Sequence, residues 1–183
     1  MQMAQPQATA PDTAVKKLLI ANRGEIALRI ARTAADMGVA TVAVHSEDDA
    51  RSLHVLRSEE AMALPGRGAR AYLDAQAVVD AAVAAGADAV HPGYGFLSES
   101  ADFARRVEAA GLVFVGPTPE VLGLLGDKLS AKRRAAELGV PTLPGTTEPT
   151  DLPQAQAFFD ALPDGAAMLI KAVSGGGGRG MRV

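Results

Sequence analysis

Lys17-Leu18-Leu19-Ile20-Ala21-Asn22-Arg23-Gly24-Glu25-Ile26 sets the architecture of this 183-residue chain. The apolar run Lys17 to Ala21 reads as a short strand. From Gly24 to Met37 the apolar residues Ile26, Ile30, Ala34 and Met37 return at close to helical spacing. Gly38 is a natural helix stop, and Val39 to Val44 is a second apolar run. Strand, helix and strand with short links make a βαβ unit, which forces a parallel pair.

The same rhythm continues outward. A short strand is expected at Ala61 to Leu64. Asp74 to Ala85 reads as a helix stopped by Gly86, and Ala87 to Val90 as the strand that ends at His91-Pro92-Gly93. Ser100 to Ala110 is a further helix stopped by Gly111, and Leu112 to Val115 a strand closed by Gly116-Pro117. This alternation predicts an α/β fold: a Rossmann-like, mostly parallel sheet with helices on both faces. Aromatics are only 4% of the chain, so aliphatic side chains must fill the core, as suits parallel strands buried on both faces.

After Pro117 the composition changes. Thr118 to Leu138 reads as one or two helices, with Thr118 as cap. Gly139, Pro141, Pro144, Gly145 and Pro149 mark a linker. A helix at Leu152 to Leu162, a strand at Met168 to Val173, a glycine loop from Ser174 to Gly180 and a strand start at Met181 follow. The expected layout is a disordered leader over 1–14, a Rossmann-like domain over 15–117, a helical linker over 118–140 and an incomplete second domain over 141–183. The last is too small for its own core. The natural protein is therefore expected to continue, with loose packing from about residue 140 onward.

Several classes of function are disfavoured. Charges are interleaved, with a net charge of -3, so no basic patch points to nucleic acid. Zero cysteines exclude disulfides and thiolate metal sites. No stretch approaches the roughly 18 apolar residues of a membrane span, and the start has neither the basic end nor the apolar middle of a signal peptide. A cytoplasmic protein is expected.

Lys171, in an apolar strand, precedes Gly175 to Gly178 and Gly180. An unpaired ammonium is costly to bury, and a loop without side chains lets backbone N–H groups approach phosphate oxygens. A flexible glycine hairpin with Lys171 in solvent fits the same residues. Gly175, Gly177 and Gly180 match dinucleotide spacing, but that motif must open a helix. Gly175 and Gly180 match P-loop spacing, yet Met181 and Arg182 stand where Lys and Ser/Thr are required. A kinase loop precedes its lysine, the reverse of the order here. A hairpin flap over ATP fits best. At the first βα turn only Gly24 is present of the three Rossmann glycines. Asn22, Arg23 and Glu25 there read equally as capping residues or as part of a site. His91-Pro92-Gly93-Tyr94-Gly95-Phe96-Leu97-Ser98-Glu99 follows a strand at its carboxyl end, where open sheets place ligands. From the residues alone, Tyr94 and Phe96 read more readily as caps on the sheet than as ligand contacts. His91, His45 and His54 lack metal-ligand spacing. Lys128, in Gly126-Asp127-Lys128, is of a type that helices usually leave solvated.

Taken in order, Ile20 to Ala27, Ala43 to Ser46, His91 to Glu99, Gly126 to Lys128, and Lys171-Ala172 with Gly175 to Arg182 resemble biotin carboxylase over about residues 16–183. The resemblance implies a pre-ATP-grasp domain followed by the start of an ATP-grasp domain. It implies a ligase in which ATP and bicarbonate give carboxyphosphate and the carboxyl group passes to biotin. Lys128 and Lys171 would contact ATP phosphates, the backbone of Gly177 and Gly178 would close over them, and Tyr94 would lie near the biotin end. The Asn22 to Glu25 turn and the helix holding Arg29 resemble the part that supports the domain and its dimer contacts. Mg2+ and biotin are the implied cofactors. A biotin carboxyl carrier, a carboxyltransferase component and a second copy of the enzyme are the implied partners. The family's magnesium, bicarbonate and adenine residues lie beyond Val183, so this stretch alone is expected to be inactive, with no catalytic or metal-binding residue of its own. Acetyl-CoA, propionyl-CoA, longer acyl-CoA, methylcrotonyl-CoA and pyruvate carboxylases share such a leading domain. Another ATP-grasp ligase, or a non-catalytic dimerisation or binding module, are the alternatives.

Overall fold

The computed structural model describes residues 15–172 and 181–183. The expected leader over 1–14 lies outside them, as do Gly177 and Gly178. The chain forms two compact units, residues 1–122 and 123–183.

In the first unit, β1 (Lys17–Ile20), α1 (Gly24–Asp36) and β2 (Ala40–His45) form the expected βαβ unit. A short helix α2 (Leu53–Leu56), β3 (Glu60–Ala63), a 3-10 helix (Gly68–Leu73) and α3 (Ala75–Ala84) follow. Then come β4 (Ala89–His91), α4 (Ala101–Ala109) and β5 (Val113–Phe114). The strands make one five-stranded sheet in the order β3-β2-β1-β4-β5, and every pair is parallel. The order reverses beside β1, whose neighbours are β2 and β4. That is the place where an open α/β sheet opens a crevice at its carboxyl edge.

Successive residues of a strand face opposite sides, and β1 shows it. Leu18 and Ile20 pack with Ala27, Ala31 and Ala34 of α1. Leu19 and Ala21 belong to the larger cluster with Val78, Val79 and Ala82 of α3 and Phe103, Ala104 and Val107 of α4. Helices therefore cover both faces, and the aliphatic composition follows. Three alanines at near-helical spacing let α1 lie close on the sheet. Phe103 meets Phe114 edge to face, with ring centroids 5.9 Å apart. Side-chain caps fix the starts of α3 and α4: Asp74 accepts from the Ala77 N–H and Ser100 from the Phe103 N–H. Asp88 accepts the backbone N–H groups of both Lys16 and Lys17 at 2.8 Å, which ties the start of β1 to that of β4. At the sheet edge, Glu59 accepts from both the N–H and the hydroxyl of Thr41, which pins β3 to β2.

The first unit runs on to Leu122, whose side chain is buried in the larger cluster. The division falls within α5 (Pro119–Gly126). At its start the Val121 N–H reaches the Thr118 hydroxyl at 3.4 Å. The second unit holds α6 (Lys128–Glu137), α7 (Leu152–Asp160) and an antiparallel pair, β6 (Ile170–Lys171) and β7 (Met181–Arg182). Asp127 caps α6, and Asp151 with Gln154 forms a capping box on α7. No described residue of this unit is buried.

Helix stability in proteins comes mostly from packing an apolar face, so the two units should differ in local opening. Amides of β1, β2 and β4 are expected to exchange slowly with solvent deuterium and those of α6 and α7 quickly; hydrogen-exchange mass spectrometry reads this directly.

His54 of α2 is 1% exposed. Its Nε2 faces the Val44 carbonyl at 3.2 Å and must carry the proton there. Nδ1 is buried with no partner among the described residues. Burial holds the imidazole below its ordinary 6.5; the Val44 carbonyl and Asp49 oppose that shift, and His45 and Arg23 reinforce it. The unfolded chain takes up this proton as pH falls past 6.5 while the folded chain resists it. His54 therefore leaves stability intact above 6.5 and erodes it on acidification below. Denaturant midpoints taken between about pH 8 and pH 5 should fall with pH, and less steeply in His54→Leu, which has no such group to titrate.

Candidate functional site

The carboxyl ends of β1, β2 and β4 gather a connected set of polar side chains. Asn22 stands two residues past the end of β1 and is fully buried. Its Nδ2 donates to the carbonyl oxygens of Pro92 at 2.7 Å and Tyr94 at 2.9 Å, and its Oδ1 accepts the Arg23 N–H at 2.9 Å. Gly93 lies between those two carbonyls with φ of +63°. A Cβ there would stand 2.6 Å from Ile26 Cγ2 and 2.9 Å from Asn22 Nδ2, so only glycine lets this backbone lie on the first turn of α1. His91 Nδ1 accepts the Gly93 N–H at 3.0 Å. Burial holds the His91 imidazole below its ordinary value.

Arg23 precedes α1 but its side chain does not cap the helix. It donates to Asp49 Oδ2 at 2.7 Å and lies 5.6 Å over the Tyr72 ring. The buried Tyr72 hydroxyl donates to the same Asp49 oxygen at 2.8 Å and accepts the Ser46 N–H at 3.3 Å. Burial, then the hydrogen bond to Asp49, push the Tyr72 phenol up to about 12. Burial alone would raise the Asp49 carboxyl; bonds from Ser52, Tyr72 and Arg23 outweigh it and leave that group lowered. Asp48 is lowered by the Gly68 N–H and then by the Ser46 hydroxyl. The Tyr72 ring stacks on Phe96 at 5.3 Å. Phe96 has a φ of 44°, the one positive value among the described residues other than glycine.

Tyr94 is 53% exposed. Its hydroxyl accepts from Arg29 of α1 at 3.2 Å. Tyr94, His91, Arg29, Ile30, Leu18 and Val115 line part of a mainly apolar cleft of about 510 Å³. Of the two residues between which the sequence left a sheet-capping role open, Phe96 packs inward on Tyr72 and Tyr94 faces the cleft.

Lys128 and Lys171 lie in the second unit. Lys128 is the first residue of α6, directly after the cap Asp127. Lys171 stands in β6 opposite Met181 of β7. It is exposed, so the cost of burying an unpaired ammonium, expected from the apolar run around it, does not arise. The reason is that, among the described residues, β6 pairs with one strand alone and no residue of its unit is buried. The pairing of β6 with β7 places Lys171 on a strand joined in sequence to its antiparallel partner through the glycine run. Among the described residues, no group of three His, Asp or Glu side chains could hold a metal ion. No helix among them is long and apolar enough to cross a membrane.

Sequence reasoning singled out Asn22 and Arg23 but missed what they hold. Asp49 and Tyr72 were not singled out, because their partners lie 23 residues apart along the chain.

A parallel sheet with its order reversing at β1, and a polar cluster with an exposed tyrosine at its carboxyl edge, define a Rossmann-like α/β domain built around a crevice. The model for the biotin carboxylase N-terminal domain matches residues 14–122, and the chain belongs to that family. It is 49% identical over 170 residues to the biotin carboxylase of Pseudomonas aeruginosa, covering 92% of this chain and 38% of that enzyme. It is 49% identical over 173 residues to the pyruvate carboxylase of Aspergillus terreus, of which it covers 14%. Among solved structures it resembles the biotin carboxylase domain of the Hydrogenobacter thermophilus 2-oxoglutarate carboxylase, which was determined with MgADP, ADP and bicarbonate. There the TM-score is 0.83 at 42% identity, over 92% of this chain and 37% of that one. The chain thus spans well under half of the relatives it matches.

Replacing Tyr72 with phenylalanine removes one of the donors to Asp49 and the acceptor of the Ser46 N–H. The variant is expected to lose about 1–3 kcal/mol of folding stability, measured by urea unfolding.

Proposed function

We propose that this chain supplies the leading domain of an ATP-dependent biotin carboxylase, in which bicarbonate, activated by ATP, carboxylates biotin on a carrier domain. The observation that carries this reading is the identity of 49% to a biotin carboxylase over 92% of the chain. The paired strands β6 and β7, joined in sequence through a run of four glycines, support it further. A strand lysine and a bare backbone suit a polyphosphate, because a lysine is a compact point charge and glycine N–H groups approach anions without hindrance. In this reading Lys128 and Lys171 hold ATP phosphates, Gly177 and Gly178 close over them, and Tyr94 lies toward biotin. The second unit begins an ATP-grasp domain. When bound, Mg2+ would shield polyphosphate charge; the described residues offer it no carboxylate set. A carboxyl carrier, a carboxyltransferase component, a second copy of the carboxylase and a cytoplasmic setting complete the reading. This chain by itself does not turn over.

Two measurements on the complete enzyme test it. Bicarbonate-dependent ATP cleavage is expected to rise on addition of free biotin; cleavage indifferent to biotin would favour another ATP-grasp ligase. Lys171→Met is expected to weaken ATP binding or turnover by roughly 10- to 100-fold, the loss of one charge-assisted contact. Normal nucleotide affinity and turnover in that variant would refute the role of Lys171.

A further inference from the structure

We propose that Asn22 is a positioning residue for Tyr94: its buried amide fixes the backbone that presents this aromatic, and so governs how well biotin is held. The inference rests on the reading of Tyr94 as the residue toward biotin.

The strands need no help from Asn22 to pair. The ladder already joins Leu18 to Ala89 and Ile20 to His91, and the Ala21 N–H continues it to the His91 carbonyl at 2.9 Å. The bonds of Asn22 begin where that ladder stops. They reach the carbonyls of Pro92 and Tyr94, in a loop that belongs to no strand. Carbonyl oxygens only accept, so the amide has one permitted orientation. Turning it over would set Oδ1 against two oxygens and leave the Arg23 N–H facing an NH2 group.

The loop is held from several sides. Gly93 lies against Asn22 and Ile26 without room for a Cβ. His91 takes the Gly93 N–H, and Phe96 is stacked on Tyr72. In contrast, the side chain of Tyr94 is half open to solvent, with its hydroxyl on Arg29. A locked backbone carrying an open aromatic is the arrangement that a ligand contact requires, since ordering the loop costs nothing further when the ligand arrives. Asn22 touches no substrate in this scheme and acts through the loop alone.

The test is steady-state kinetics on the complete carboxylase with free biotin as the acceptor. Asn22→Ala is expected to raise KM for biotin roughly tenfold or more, as for a contact displaced by an ångström. KM for ATP and the biotin-independent ATP cleavage should stay as they were. Asn22→Ser, which keeps one donor, should fall between the two, and it serves alone if the alanine variant does not accumulate. Tyr94→Ala is measured alongside. Should Tyr94→Ala raise the biotin KM while neither Asn22 variant does, the positioning role is wrong. A rise in the ATP and biotin KM values together would mark general loss of structure and also overturn it. Should Tyr94→Ala leave the biotin KM unchanged, the error lies in the reading of Tyr94 itself.

Discussion

Everything in the first unit is referred to one constraint: β1 is buried on both faces. Leu19 and Ile20 have no solvent exposure and Leu18 has 7%. Fully burying a side chain of this size contributes about 1.5–3 kcal/mol each. Because alternate residues point to opposite faces, a register slip of one position would exchange the partners of α1 for those of α3 and α4. A strand so constrained fixes where the residues just past its end stand. Asn22, after Ala21, is one of them, and the loop after β4 is bonded to it. The backbone that presents Tyr94 is thus tied to the buried strand through the Asn22 amide.

The layered domain was legible because its signals are local. Apolar runs at Leu18 to Ala21 and Val39 to Val44, and glycines at 38, 86 and 111, mark elements whose period and stops are written in neighbouring residues. The short helix α2 and the 3-10 helix carry no such period. The 3-10 helix is held by contacts such as Asp48 with the Gly68 N–H and Asp49 with Tyr72, which span 20 and 23 residues, and α2 by His54 on the Val44 carbonyl. Window-based reading has no access to those. The apolar run from Met168 to Val173 likewise promised a longer strand than the two residues of β6, because strand length depends on how many neighbours a strand finds.

The site was read in a different way. The residue types around Lys171 pointed to phosphate, and family resemblance supplied the roles. What local sequence concealed was the division of labour at the first βα turn. Asn22 and Arg23 were open between capping and site roles. They cap nothing with their side chains: Asn22 holds the loop after β4, and Arg23 holds Asp49 and overlies Tyr72. A turn that in a dinucleotide-binding domain would carry glycines for phosphate is used here to brace the next crossover.

The chain has two tyrosines and no tryptophan. Tyr72 is sealed inside, 1% exposed, with its hydroxyl committed to Asp49. Tyr94 stands half in water and lines part of the cleft. Near-ultraviolet emission from this stretch therefore has one interior source and one surface source. A quencher dissolved in the buffer addresses the second and spares the first, so the molecule carries its own optical label at the place of most chemical interest, with Tyr72 as an internal standard.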